Sequence, residues 1–148
     1  MNSRILLSKI LFFSFIFTQA QITVTPENPT ISDNVTITYD ASQGNAELTG
    51  VSPVYIHTGV LTTDSQNPSD WFFVKNDWPV NTPDVEMQDM GNNIHQISFQ
   101  IDNYYNLPND VTATDLAMVF RNADGSLVGR ASDGGDIFYP IFPDNLND

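Results

Sequence analysis

The sequence predicts an all-β fold, an antiparallel immunoglobulin-like β-sandwich of about seven strands. Three observations predict it. Short runs alternate apolar and polar residues with a period of two, the spacing of a half-buried strand. Clusters of Pro, Gly, Asn and Asp punctuate those runs. Beyond the first 20 residues, no segment carries the period of an amphipathic helix.

Gln21-Ile22-Thr23-Val24-Thr25 is the first strand, stopped by Pro26 and Pro29. Asn34 to Tyr39 is the second, with Val35, Ile37 and Tyr39 on one face and Thr36 and Thr38 on the other. Asp40 to Asn45 reads as a turn. Val54 to Thr58 is the third strand. If Val54 and Ile56 face the core, Tyr55 and His57 face solvent. Trp71 to Lys75 is the fourth strand, rich in aromatics, and Ile94 to Ile101 is the fifth. Pro108 limits any helix between Asp102 and Asp110 to about a turn. Leu116 to Arg121 is the sixth strand. The Asp-Gly pair in Ala123-Asp124-Gly125-Ser126 then signals a hairpin. Asp136 to Phe142 closes the set.

The first 20 residues read as an export signal rather than as part of the fold. Met1 to Arg4 supplies a basic start, Ile5 to Phe17 an apolar run, and Thr18-Gln19-Ala20 small residues before a cleavage point at Gln21. A membrane anchor needs about 20 apolar residues, and this run is shorter and contains Lys9. No cysteine follows to carry a lipid. The expected organisation is a signal peptide over 1–20, one β domain over 21–142, and a polar tail or linker start over 143–148. The exported protein is expected to be secreted, periplasmic or at the cell surface, without membrane insertion.

The full chain carries 5 cations, 18 acids and a formal net charge of −13. Losing residues 1–20 removes Arg4 and Lys9 and no acid, leaving Lys75, Arg121 and Arg130 as the cations. Such a surface argues against nucleic acid and anionic membranes, which need basic patches. The sequence has no cysteine, so disulfides, thiolate metal sites and a cysteine nucleophile are excluded and the core holds the fold alone.

No catalytic motif stands out. There is no metalloprotease helix motif, no nucleophile elbow and no Gly-rich phosphate loop. A glycosidase needs two placed carboxylates, and among 18 acids none is singled out as a pair. The chain is therefore read as a non-enzyme. Its aromatic residues point instead to sugar binding, because rings stack on the flat C–H faces of sugars while nearby polar groups fix orientation. Tyr55 and His57 on the third strand, and Trp71 and Trp78 at either end of Asp70-Trp71-Phe72-Phe73-Val74-Lys75-Asn76-Asp77-Trp78, are the candidate contacts. No cofactor is required by any motif. Calcium is the one ion the pattern suggests: Asp133 and Asp136 flank a Gly-Gly turn and could bind it with backbone carbonyls, though a plain acidic turn accounts for the same residues.

Several segments recur in a familiar order: Val54-Tyr55-Ile56-His57-Thr58-Gly59, Asp70-Trp71, Met87 to Asn93, Ala117-Met118-Val119-Phe120-Arg121-Asn122-Ala123-Asp124-Gly125, and Gly134-Gly135-Asp136-Ile137-Phe138. Together they resemble the starch-binding β-sandwich modules at the N-termini of secreted α-amylase-family enzymes from Bacteroidetes-type bacteria. Thr25 to Thr30 and Tyr39 to Ala41 match the same pattern, and Phe-Arg-Asn-Ala-Asp-Gly is its most specific part. The resemblance implies an α-glucan ligand, sugar contact through His57 and Trp71, and an appended or neighbouring glycoside hydrolase. Such modules carry a further platform in a Trp-Asp-Asn-Asn segment. Here that region reads Leu127 to Asp136 without a Trp, so either Trp78 takes its place or α-glucan binding is weakened or changed. The alternative is a structural spacer or protein-interaction domain of the same fold, which expects both tryptophans largely buried.

Overall fold

In the second predicted strand, Val35, Ile37 and Tyr39 are buried while Thr36 and Thr38 keep partial exposure, as the pleat requires. A computed structural model describes residues 20–144. The expected signal peptide, apart from Ala20, lies outside the described residues, as do positions 145–148 of the tail. Among the described residues no helix is long and apolar enough to cross a membrane.

The described residues form eight strands and one helical turn: β1 Ile22–Thr25, β2 Asn34–Asp40, β3 Tyr55–Thr62, β4 Gln88–Asp89, β5 Ile94–Gln100, α1 Ile101–Tyr105, β6 Ala113–Arg121, β7 Val128–Gly129 and β8 Ile137–Pro140. They make two antiparallel sheets. One has the order β1-β2-β5-β4. In the other, β6 pairs with β3 along one edge and with β7 and β8, end to end, along the other. Over the described residues the fold is therefore all-β with almost no helix.

One apolar core draws on both sheets. Val35, Ile37 and Tyr39 of the first meet Ile56, Val60, Leu116, Met118 and Phe120 of the second. The Tyr39 and Phe120 rings stack at 3.8 Å with 10° between their planes. Gly129 makes room for that ring, since a Cβ there would lie 2.1 Å from the Tyr39 hydroxyl. His95, on β5, is buried beside Tyr39 and belongs to this interior.

One expected turn forms, and one expected strand does not. The chain leaves β5 directly into α1, a single turn ended by Asn106 in the left-handed conformation two residues before Pro108. The expected strand over Trp71–Lys75 does not form. Val60 and Phe72 exchange one pair of backbone bonds, at 2.9 and 2.8 Å, and the Lys75 N–H donates to Thr58 O at 2.9 Å. Between them Phe73 takes φ 52°, outside the extended region, and the run breaks there. Gly59 lets this segment lie close on β3, because a Cβ would sit 2.8 Å from Phe72 O.

Candidate functional site

β3 supplies His57 at the centre of the site. Its cross-strand neighbour on β6 is Val119, and the two share the outward face of the second sheet. The loop after β3 carries the two tryptophans back across that face. The loop is shaped by its own polar side chains: Ser65 Oγ donates to Asp70 O at 2.9 Å, and the Gln66 N–H donates to Asp70 Oδ2 at 3.0 Å. Trp71 is anchored at the loop's end by its indole N–H, which donates to Pro68 O at 2.9 Å.

Both tryptophan rings pack against His57. Trp71 lies 6.0 Å from it between centroids, tilted by 32°, and Trp78 lies 5.1 Å away, edge-on at 88°. Trp71 is half-buried, and Trp78 keeps 41 % of its surface exposed. Together with Val119 and the side chains of Arg130 and Asp136, they line an open cleft of about 460 Å³. That volume lies within the usual range of small-ligand sites.

Trp78 is held from below by β6 and its hairpin. Arg121 is 1 % exposed. Its guanidinium donates to Val80 O at 2.8 Å, Asn81 Oδ1 at 2.7 Å and Asn122 O at 3.0 Å. Its Cζ lies 5.1 Å from the Tyr55 ring centroid and 5.4 Å from that of Trp78. Among the described residues its partners are carbonyl oxygens and ring faces, with no carboxylate. Charge-assisted hydrogen bonds and cation–π contacts offset the cost of burying this charge. Asn81 Nδ2 in turn donates to Ala123 O at 2.9 Å. Gly125, at φ 73°, lies directly against the indole: a Cβ there would be 2.7 Å from Trp78 Nε1.

The buried guanidinium also explains Tyr55, for which the sequence reading needs correction. Alternation places Tyr55 on the same side as His57, but that side is not open solvent at this position. Arg121, its cross-strand partner, covers it, and Tyr55 is 7 % exposed and part of the core. Tyr55 supports the site and does not line it.

Asp133 and Asp136 both line a second cleft, and each already has a partner within the chain. Asp133 Oδ1 accepts the Gly135 N–H at 2.9 Å, closing its own turn, and Asp136 is ion-paired with Arg130. Among the described residues no group of three or more His, Cys, Asp or Glu is placed to hold a metal. Among the described residues, Asp136 is the one carboxylate lining the first cleft. Its pairing with Arg130 was not read from the sequence. The signal available was that Arg130 is one of the three cations beyond residue 20.

Electrostatics keep the centre of the cleft uncharged. Burial lowers the His57 pKa below the ordinary 6.5, the Arg121 guanidinium lowers it further, and Asp136 acts weakly in the opposite direction. At neutral pH the ring is a neutral imidazole with one donor and one acceptor, suited to hydroxyl groups.

No curated protein matches this sequence. A family model described as "Domain of unknown function (DUF8578)" matches residues 22–128, from β1 to the first residue of β7 and so across most of the site just described, and the chain belongs to that family.

Proposed function

We propose that the protein is a non-catalytic carbohydrate-binding module of immunoglobulin-like β-sandwich form, with an α-glucan as its ligand. The observation that carries this reading is the cleft itself: two partly exposed indoles packed on a neutral imidazole, beside the Arg130–Asp136 pair. Indole faces offer stacking surfaces for sugar rings, each worth about 0.5–1.5 kcal/mol beyond area burial. The imidazole and the ion pair offer hydrogen bonds that fix orientation. Hydrolysis of a glycoside needs two carboxylates, and a cleft with a single one, already bound to an arginine, favours binding over chemistry. The 41 % exposure of Trp78 favours a ligand site over a spacer domain, for which both tryptophans would be interior. The module would act outside the cell, beside a glycoside hydrolase carried on the same or a neighbouring chain.

Affinity electrophoresis in gels containing soluble starch tests the reading. The protein should be retarded, and Trp71→Ala should lose roughly tenfold or more in affinity while keeping its β-rich circular dichroism spectrum. Free migration in starch and in other plant and algal glucans would remove the sugar reading. Loss of the spectrum in the variant would make Trp71 a structural residue.

A further inference from the structure

Beyond the Arg130–Asp136 pair lies a second open cleft of about 650 Å³, reaching Asp133 and Phe138. Ser69, Arg130 and Asp136 belong to both clefts, so the two are parts of one groove. Phe138 stands on β8 opposite Ala117 of β6, and it is half-buried while its neighbour Ile137 is buried. It therefore presents part of its ring on the same outward face as His57. The groove carries an aromatic group at each end and an ion pair between them.

Resting on the sugar reading above, we propose that this groove binds an extended segment of a neutral polysaccharide. Trp71 and Trp78 form the primary platform, Arg130 and Asp136 hydrogen-bond the middle of the segment, and Phe138 is a distal platform. Each cleft alone falls in the size range of a small-ligand site, about 300–1,000 Å³, so the groove accepts several sugar units in series. The charges specify a neutral chain. Asp133 and Asp136 present carboxylates, Arg130 is already neutralised by Asp136, and among the described residues no other Lys or Arg lines either cleft to receive a uronate or sulfate.

Isothermal titration with a maltose-to-maltoheptaose series tests the proposal. In the unmodified protein, affinity should rise with chain length beyond the shortest oligomer that binds. Phe138→Ala should bind the shortest oligomer normally and lose roughly two- to tenfold on the longest. Phe138→Leu, which keeps the apolar packing of β8 without the ring, should behave the same way and guards against a folding defect. Equal affinity at every length in the unmodified protein, or equal losses at every length in both variants, would overturn the distal platform while leaving the primary site standing. Binding of alginate, a polyuronate, as tightly as starch would overturn the neutral assignment. No binding at any length would overturn the sugar reading and this extension with it.

Discussion

Gly125 and Gly50 provide a matched pair of perturbations for the seat of Trp78. Both residues sit at positive φ, 73° and 76°. Replacing either by Ala forces an L-residue into the left-handed region, at about 1–2 kcal/mol, partly offset by a stiffer unfolded chain worth about 0.4–1 kcal/mol. A net loss of about 1 kcal/mol is therefore common to both. The surroundings differ. A Cβ at Gly50 meets nothing within 4 Å, whereas one at Gly125 would lie 2.7 and 2.9 Å from Trp78 Nε1 and Cε2 and 3.0 Å from Pro79 Cβ. Trp78 is exposed enough to yield outward, so Gly125→Ala should displace the ring rather than unfold the protein. Displacement forfeits the edge-to-face contact with His57 and the stack on a sugar, each about 0.5–1.5 kcal/mol. Urea titration should show the two variants within about 1.5 kcal/mol of each other. Starch affinity should stay unchanged in Gly50→Ala and fall roughly tenfold in Gly125→Ala, with Trp fluorescence shifting only in the latter. Equal affinities for the two variants would refute the seating of Trp78 on the hairpin, or its part in binding.

Stability should decline as the solution is acidified from pH 7 to pH 5. Burial lowers the pKa of both His57 and His95 below 6.5, with Arg121 adding to the effect at His57 and Asp89 opposing it at His95. The unfolded chain then binds more protons in this window, so stability is complete above about pH 6.5 and is lost as pH falls toward the folded values. His95→Gln should flatten part of that slope in urea titrations, and an unchanged slope would exclude His95 as a source. The carboxyl of Asp84, held down by the Thr82 hydroxyl and by Lys75, loses its contribution only below about pH 3.8. Lys75 ties the loop after β3 to α1: its Nζ donates to Tyr104 O at 3.0 Å, lies 3.1 Å from Asp84 and sits 4.6 Å above the Tyr104 ring. Lys75→Met, which keeps the stem's packing, should cost about 1–2 kcal/mol, and an unmoved urea midpoint would show that these contacts contribute nothing net.

Strands long enough to show their period were readable from the sequence. β2 alternates over most of its seven residues, β5 shows its period at Ile97 and Phe99, and the Asp-Gly hairpin after β6 lies where the turn residues put it. β4 and β7 have two residues each, too few to carry any period, and they form only because a neighbouring strand offers an edge. The aromatic run at Trp71–Lys75 has the composition of a strand, yet a single left-handed residue, Phe73, turns it into a loop lying across β3. At the site, alternation identified the correct face for Tyr55 and His57 but not what covers that face. That depends on Arg121, which becomes the neighbour of Tyr55 only when β6 pairs with β3. Trp78 likewise rests on Gly125, a contact of high sequence separation that composition does not reveal.

The six residues Phe120 to Gly125, read from the sequence as the most specific part of a resemblance to starch-binding modules, do not line the cleft. They hold it in place. Phe120 stacks on Tyr39 in the core, Arg121 fixes the backbone carbonyl of Val80 and the side chain of Asn81, Asn122 Oδ1 accepts the Leu127 N–H at 3.1 Å to shape the turn, and Gly125 leaves room for the indole of Trp78. A support of this kind restricts its residues more tightly than the ligand does. A buried guanidinium needs its several acceptors, and a positive φ under a ring needs a glycine, whereas a stacking platform needs only an aromatic face somewhere along the groove. The absence of a Trp between Leu127 and Asp136 is therefore compatible with an intact aromatic site. Arg130 and Asp136 occupy the cleft wall from that segment, and Trp78 supplies an indole from the opposite loop, held by the hairpin that contains Gly125.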